Sequence, residues 1–156
     1  MPNNHLSHKL FPVPLPLIVN VSTILKNHQY NQKQVDIYDD ETTRYTVEDE
    51  LLLQKIRLLC FYSNENIDMN KCTVHYIKYN IDNRYIIKKH TDRCEKTFIF
   101  YLEKDPKIQD HFYVEDEYIT DTELWTNRGL TMNQEAQHWG EYSGSGSRSI
   151  LCVFYN

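Results

Sequence analysis

The sequence predicts an α+β fold that is mainly β, and three observations carry that prediction. Twelve Tyr and six Phe stand among 156 residues, and these side chains suit half-buried strands. Apolar residues recur at helical spacing between Thr46 and Asn64. From residue 72 onward the period changes to the alternation of strands. A helical layer followed by a run of strands suggests a sheet sandwich or barrel backed by one or two helices. The length fits one domain spanning 1–156. Within it, 1–71 would supply an N-terminal strand and helical support, and 72–156 the β core.

Taken in order, the apolar run from Pro16 to Ile24 reads as a first strand. Lys26 to Arg44 is polar and reads as loop. Thr46 then opens a helix with Asp49 as its capping-box partner, and Leu51, Leu52, Ile56, Leu59 and Cys60 form its buried stripe. Strands are expected at Thr73 to Tyr79, Tyr85 to Lys89, Lys96 to Leu102, Phe112 to Ile119 and Ser147 to Tyr155. The four glycines, 129, 140, 144 and 146, fall in the last third and are expected to mark turns around one rim. Glu103 to Glu123 holds eight acids and two Lys; such a run reads as a solvated loop face, or as a lid attracting a basic substrate.

The formal net charge is -5. Sequence-independent nucleic-acid binding needs clustered cations that displace counterions from phosphates, and no Lys/Arg cluster supplies them. Cys60, Cys72, Cys94 and Cys152 form no CxxC pair, so reduced thiols in a cytoplasmic, reducing compartment are expected. Leu10 to Val19 holds Pro12, Pro14 and Pro16 and is too short to span a bilayer. It reads as an extended edge segment, with no membrane partner expected. His5 and His8 could mimic a metal pair, but their terminal position argues against one.

His90-Thr91-Asp92 puts an imidazole and a carboxylate on one face of a strand, where both can reach one cation. Seven His and 22 acids make about one such pair expected by chance, so the motif needs context. Downstream, His138 is followed by Gly140, Gly144 and Gly146 and then by a strand that carries Arg148 on the face of Ile150, Cys152 and Phe154. An inward Arg must meet an anion, either a protein carboxylate or a dicarboxylate ligand. Two His and one carboxylate leave three iron positions open, whereas zinc more often recruits Cys or a third His.

In their order, Lys78-Tyr79-Asn80, Tyr85 to Arg93, Thr97-Phe-Ile-Phe-Tyr101-Leu102 and His138 to Arg148 resemble the catalytic core of the 2-oxoglutarate/iron(II) dioxygenase superfamily, most of all its prolyl-hydroxylase branch. The resemblance covers about half the chain. It implies a double-stranded β-helix, the jelly-roll, cupin-like architecture. It implies iron(II) on His90, Asp92 and His138, and 2-oxoglutarate on Arg148, Tyr101 and Tyr79, with ascorbate as reductant. The implied reaction hydroxylates a peptide side chain such as proline, or a small molecule, with release of succinate and CO2. The sequence departs from the family between its two His motifs. A Gly-Gly strand is replaced there by Gln109 to Tyr118, and the Pro-Val pair after the distal His by Tyr142-Ser143.

Two rivals stay open. AlkB-like nucleic-acid demethylases share the His-x-Asp, distal His and strand Arg but carry a second Arg six residues after the first, where this chain has Phe154. A non-catalytic β-sandwich binding module would hold the same residues incidentally. Trp125 and Trp139 could flank a pocket, although core packing is the commoner role for Trp.

Overall fold

The computed structural model describes residues 7–156, and in it two antiparallel sheets face each other. Eleven strands follow chain order: β1 (His8–Pro12), β2 (Val35–Asp39), β3 (Thr42–Thr46), β4 (Cys72–Ile81), β5 (Arg84–His90), β6 (Lys96–Lys104), β7 (Gln109–Val114), β8 (Glu117–Ile119), β9 (Arg128–Asn133), β10 (His138–Ser143) and β11 (Gly146–Tyr155). Three α-helices accompany them: α1 (Leu15–Asn27), α2 (Glu50–Phe61) and α3 (Asp121–Asn127). The large sheet runs β1-β9-β6-β11-β4-β3-β2 and the small one β5-β10-β7-β8. This is the double-stranded β-helix expected from the resemblance.

Each face of the large sheet has its own core, because alternate side chains of a strand point opposite ways. On the outer face, Val74, Tyr76, Phe98, Phe100, Leu151 and Val153 bury against Ile18, Val21 and Leu25 of α1 and Leu52, Ile56 and Leu59 of α2. On the inner face, Ile77, Tyr79, Tyr101 and Ile150 meet Phe112, Val114 and Tyr142 of the small sheet. The inner cluster is the one that surrounds the polar site. Among the described residues, no helix is long and apolar enough to cross a membrane.

Several expectations are corrected. Pro16 to Ile24 is not a strand but most of α1, and the edge strand β1 lies before it. The β-branched residues suggest a strand, yet Ile18, Val21, Ser22 and Leu25 bury with helical spacing. Pro14 at the N-cap and a Pro in the first turn sit where no intrahelical donor is lost. The polar stretch Lys26 to Arg44 holds β2 and most of β3 rather than loop alone. Thr46 ends β3, and α2 starts at Glu50 because Asp49 itself caps it, accepting from the Leu52 amide at 3.0 Å. Leu51 points to solvent, whereas Leu52, Ile56, Leu59 and Cys60 are buried as expected.

The acidic segment is no free loop either. It forms β7 and β8, joined through Glu115 and Asp116 in left-handed conformation, and then α3. Strands β9 and β10 were not anticipated, and two of the glycines lie inside them. Gly140 is there because a Cβ would stand 2.2 Å from the His111 carbonyl oxygen of the neighbouring strand. Gly144, with φ +100°, does mark the turn into β11. His5 lies outside the described residues, and His8 approaches Glu117 at 3.2 Å.

Candidate metal centre and its cavity

His90 closes β5 and His138 opens β10, and the register sets the two directly opposite each other. Between this pair and Gly140↔Ile87, β5 advances one residue more than β10. Such a bulge re-aims a side chain, and here the imidazole centroids come within 4.2 Å. Asp92 follows in the turn after β5. Its Oδ1 lies 3.3 Å from His90 Nε2 and 3.2 Å from His138 Nε2. One donor atom from each of the three residues falls within 4.8 Å of the others.

Backbone carbonyls fix the tautomers. A carbonyl only accepts, so His90 Nδ1 donates to Lys88 O at 2.6 Å and His138 Nδ1 donates to Ala136 O at 3.0 Å. A neutral imidazole so held offers its Nε2 lone pair to a metal, which is the usual orientation device of histidine ligands. Thr97 of β6 donates its hydroxyl to Asp92 Oδ2 at 2.8 Å, leaving Oδ1 for the imidazoles. Burial pushes the Asp92 carboxyl up, but its interactions with His138 and His90, whose Nε2 donates to it whenever the imidazole is charged, and with Thr97 outweigh it and hold it well below the usual carboxylate range. The Asp92 hydrogen bond raises His90 against the opposing effect of burial.

The three side chains line a cavity of about 740 Å³ that also contains Tyr79, Tyr101, Tyr142 and Arg148. The fold therefore brings together every site residue that the sequence predicts, although they span positions 79 to 148. Arg148 is buried on β11 with its guanidinium carbon 3.7 Å from the Tyr142 ring centre, 5.2 Å from Tyr79 and 5.7 Å from Tyr101. Burial keeps both Tyr79 and Tyr101 phenols far above their ordinary pKa, so they stay protonated and can donate. Burial also opposes the Arg148 charge, but Tyr142 and Asp110 outweigh it and raise its pKa.

Two polar partners escape sequence reasoning. Asp110 of β7 is fully buried and receives Arg148 Nε at 3.0 Å and Nη2 at 2.6 Å. Trp125 Nε1 of α3 donates to the same carboxylate at 3.0 Å. The pair ties the small sheet to the large one, and it matches the protein-carboxylate alternative for Arg148. Arg148 Nη1 is nevertheless buried without a partner. The second escape is Thr97, whose role depends on where the Asp92 turn folds. Trp139 takes no part in the cavity and stacks on Tyr113 at 5.4 Å on the outer face.

No protein-family model and no curated protein matches the chain. Solved structures do. A Pseudomonas putida prolyl-4-hydroxylase aligns over 96% of this chain and 91% of its own, with TM-score 0.59 and 13% identity. HygX from Streptomyces hygroscopicus, solved with nickel and 2-oxoglutarate bound, aligns over 96% and 82%, with TM-score 0.64 and 10% identity. The dioxygenase for auxin oxidation in rice aligns over 92% and 70%, with TM-score 0.58 and 10% identity. With its two sheets and these neighbours, the chain has a double-stranded β-helix fold, shared with these solved structures.

Proposed function

We propose that the protein is an iron(II)- and 2-oxoglutarate-dependent dioxygenase of prolyl 4-hydroxylase-like type, hydroxylating a peptide or protein side chain such as proline, or a small molecule. The observation that carries this reading is the convergence of His90, Asp92 and His138 in the same cavity as a buried guanidinium with an unpartnered Nη1. The donor set fits iron(II): two imidazole nitrogens and one carboxylate oxygen, with no thiol among them. The orphaned Nη1 and two protonated phenols fit a distal carboxylate. On this reading residues 72–156 form the catalytic core, and α1 and α2 stiffen the large sheet from outside.

When bound, iron and 2-oxoglutarate would activate O2 toward an unreactive C–H bond, one oxygen atom going to the substrate and the other to succinate, with loss of CO2. The chain supplies the rest. His90, Asp92 and His138 would hold the iron. Arg148 Nη1, with the Tyr101 and Tyr79 hydroxyls, orients the far end of the 2-oxo acid. Ile77, Ile99, Ile150 and Phe154 line the cavity with apolar surface that excludes water.

One observation favours a second reading, a related fold that binds without turnover: Arg148 already holds a protein carboxylate. An anaerobic titration with iron(II) and then 2-oxoglutarate separates the two. The oxygenase reading expects the visible band of a 2-oxo acid chelating iron(II), lost in Asp92→Ala. A folded wild-type protein that binds iron yet develops no band with 2-oxoglutarate sinks it.

A further inference from the structure

Resting on the oxygenase reading, we infer that Asp110 is an internal competitor for the co-substrate's distal carboxylate and thereby sets which 2-oxo acid the protein accepts. The carboxylate takes the Nε/Nη2 edge of Arg148, one of the two edges of the guanidinium that can grip a carboxylate by parallel hydrogen bonds. The end that carries the unpartnered Nη1 remains for a ligand.

Charge reinforces the geometry. Arg148 and Asp110 are both buried, and together they are neutral. The other cations on the cavity wall do not relieve this. Arg44 is paired with Asp36 at 2.9 Å, Lys88 is exposed, and His90 and His138 face Asp92. Lys104, beside Trp125, is held by Asp121 at 2.8 Å. A second carboxylate brought to Arg148 therefore adds a negative charge close to that of Asp110. Arg128, which pairs with no carboxylate among the described residues, stands outside the cavity lining and is held by the carbonyls of Trp125, Tyr101 and Leu102. Burying an unmatched charge is costly, so a distal carboxylate fits here but gains less than it would at a guanidinium without a protein partner.

Two consequences follow for ligand choice. The wild-type protein discriminates weakly between 2-oxoglutarate and 2-oxopentanoate, which has the same chain length and chelating end but no distal charge. Removing the Asp110 charge while keeping its shape leaves the guanidinium charge to the ligand, with the amide oxygen able to accept one of its hydrogen bonds, and restores selectivity.

The test measures Kd for both 2-oxo acids on the anaerobic iron(II) protein, wild type and Asp110→Asn, from the visible chelate band and by calorimetry. The expected wild-type preference for 2-oxoglutarate is below about tenfold. In Asp110→Asn, 2-oxoglutarate tightens by at least about tenfold and the preference exceeds about 100-fold, the scale of one well-made charge-assisted contact. If Asp110→Asn does not fold, the wild-type ratio decides alone. A wild-type preference above about 100-fold overturns the inference, as does weaker 2-oxoglutarate binding in Asp110→Asn, which would make Asp110 a positioning residue. Those outcomes leave the oxygenase reading intact. Iron binding without a response to either 2-oxo acid in both proteins overturns that reading, and the inference with it.

Discussion

Thr97 donates its hydroxyl to Asp92 Oδ2 at 2.8 Å, and this bond turns the other carboxylate oxygen toward both imidazoles. Cys94 Sγ lies 3.2 Å behind the same hydroxyl. Outer partners of this kind typically contribute about 10–100-fold in metal affinity. Thr97→Val is therefore expected to weaken iron(II) binding by roughly that factor, with Thr97→Ser close to wild type. Competition with a colorimetric chelator measures it; unchanged affinity in a folded Thr97→Val would mean that the imidazoles alone orient Asp92.

Breaking the inter-sheet ion pair from one side should destabilise the fold strongly. Arg148→Ala leaves the Asp110 carboxylate buried and without its cation. The expected loss is about 3–5 kcal/mol, whereas an apolar pair such as Arg148→Met with Asp110→Leu should recover most of it. Urea unfolding of the two proteins checks this, and equal stability of single and double variants would contradict it.

Gly140 is expected to tolerate no side chain. Its Cβ would meet the His111 carbonyl oxygen at 2.2 Å and the Phe112 Cα at 3.2 Å, both backbone atoms of β7. Gly140→Ala should cost about 1–3 kcal/mol through overpacking. Because His138 is two residues away on the same strand, iron(II) affinity should fall too. Retained affinity despite lowered stability would show that the β10 distortion stops short of His138.

Thiol chemistry should be strongly pH-dependent. Burial, then Asp68 and Cys94, push the Cys72 thiol up to about 11. Burial pushes Cys60 and Cys152 higher still. The thiolate is the reactive form, so alkylation of Cys72 should keep rising by roughly tenfold per pH unit from 7 to 10, where an ordinary thiol levels off near 8.5. Sign follows from linkage: with folded values raised, the native state binds more protons than the unfolded one above about pH 9. Stability is then full below that pH and declines as pH rises toward 11. Mass spectrometry of alkylated protein, with unfolding midpoints across the range, reads both. A rate plateau near pH 8.5 would contradict the half-buried setting of Cys72.

Patterns set by nearest neighbours were legible in the sequence. The alternation of Arg148, Ile150 and Cys152 on β11 and the stripe of Leu52, Ile56 and Leu59 on α2 survive folding, whereas His90 and Asp92 do not share a strand face: β5 ends at His90, and the turn after it brings Asp92 back to the imidazole. Backbone periodicity dictates which side chains share a face whatever else the chain does. The run from Pro16 to Ile24 misleads for the complementary reason: a short apolar, β-branched stretch fits both periods. There, burial of Ile18, Val21 and Leu25 against the large sheet overrides local preference. Strands β9 and β10 were missed because their glycines read as turns, while in the fold they admit a neighbouring strand or ring.

The sequence pointed to the mainly β class and to β4, β5, β6 and β11, while the resemblance it carries named the candidate residues His90, Asp92, His138, Arg148, Tyr101 and Tyr79, His138 lying on a strand that it did not mark. Tertiary structure alone decided who meets whom. Asp110 and Arg148 are 38 positions apart and sit in opposite sheets, and any of 22 acids could have been the partner on sequence grounds. The metal triad likewise closes only because the β5 bulge sets His90 across from His138. Pairings across sheets depend on register and on which faces are buried together, and no local spacing encodes either.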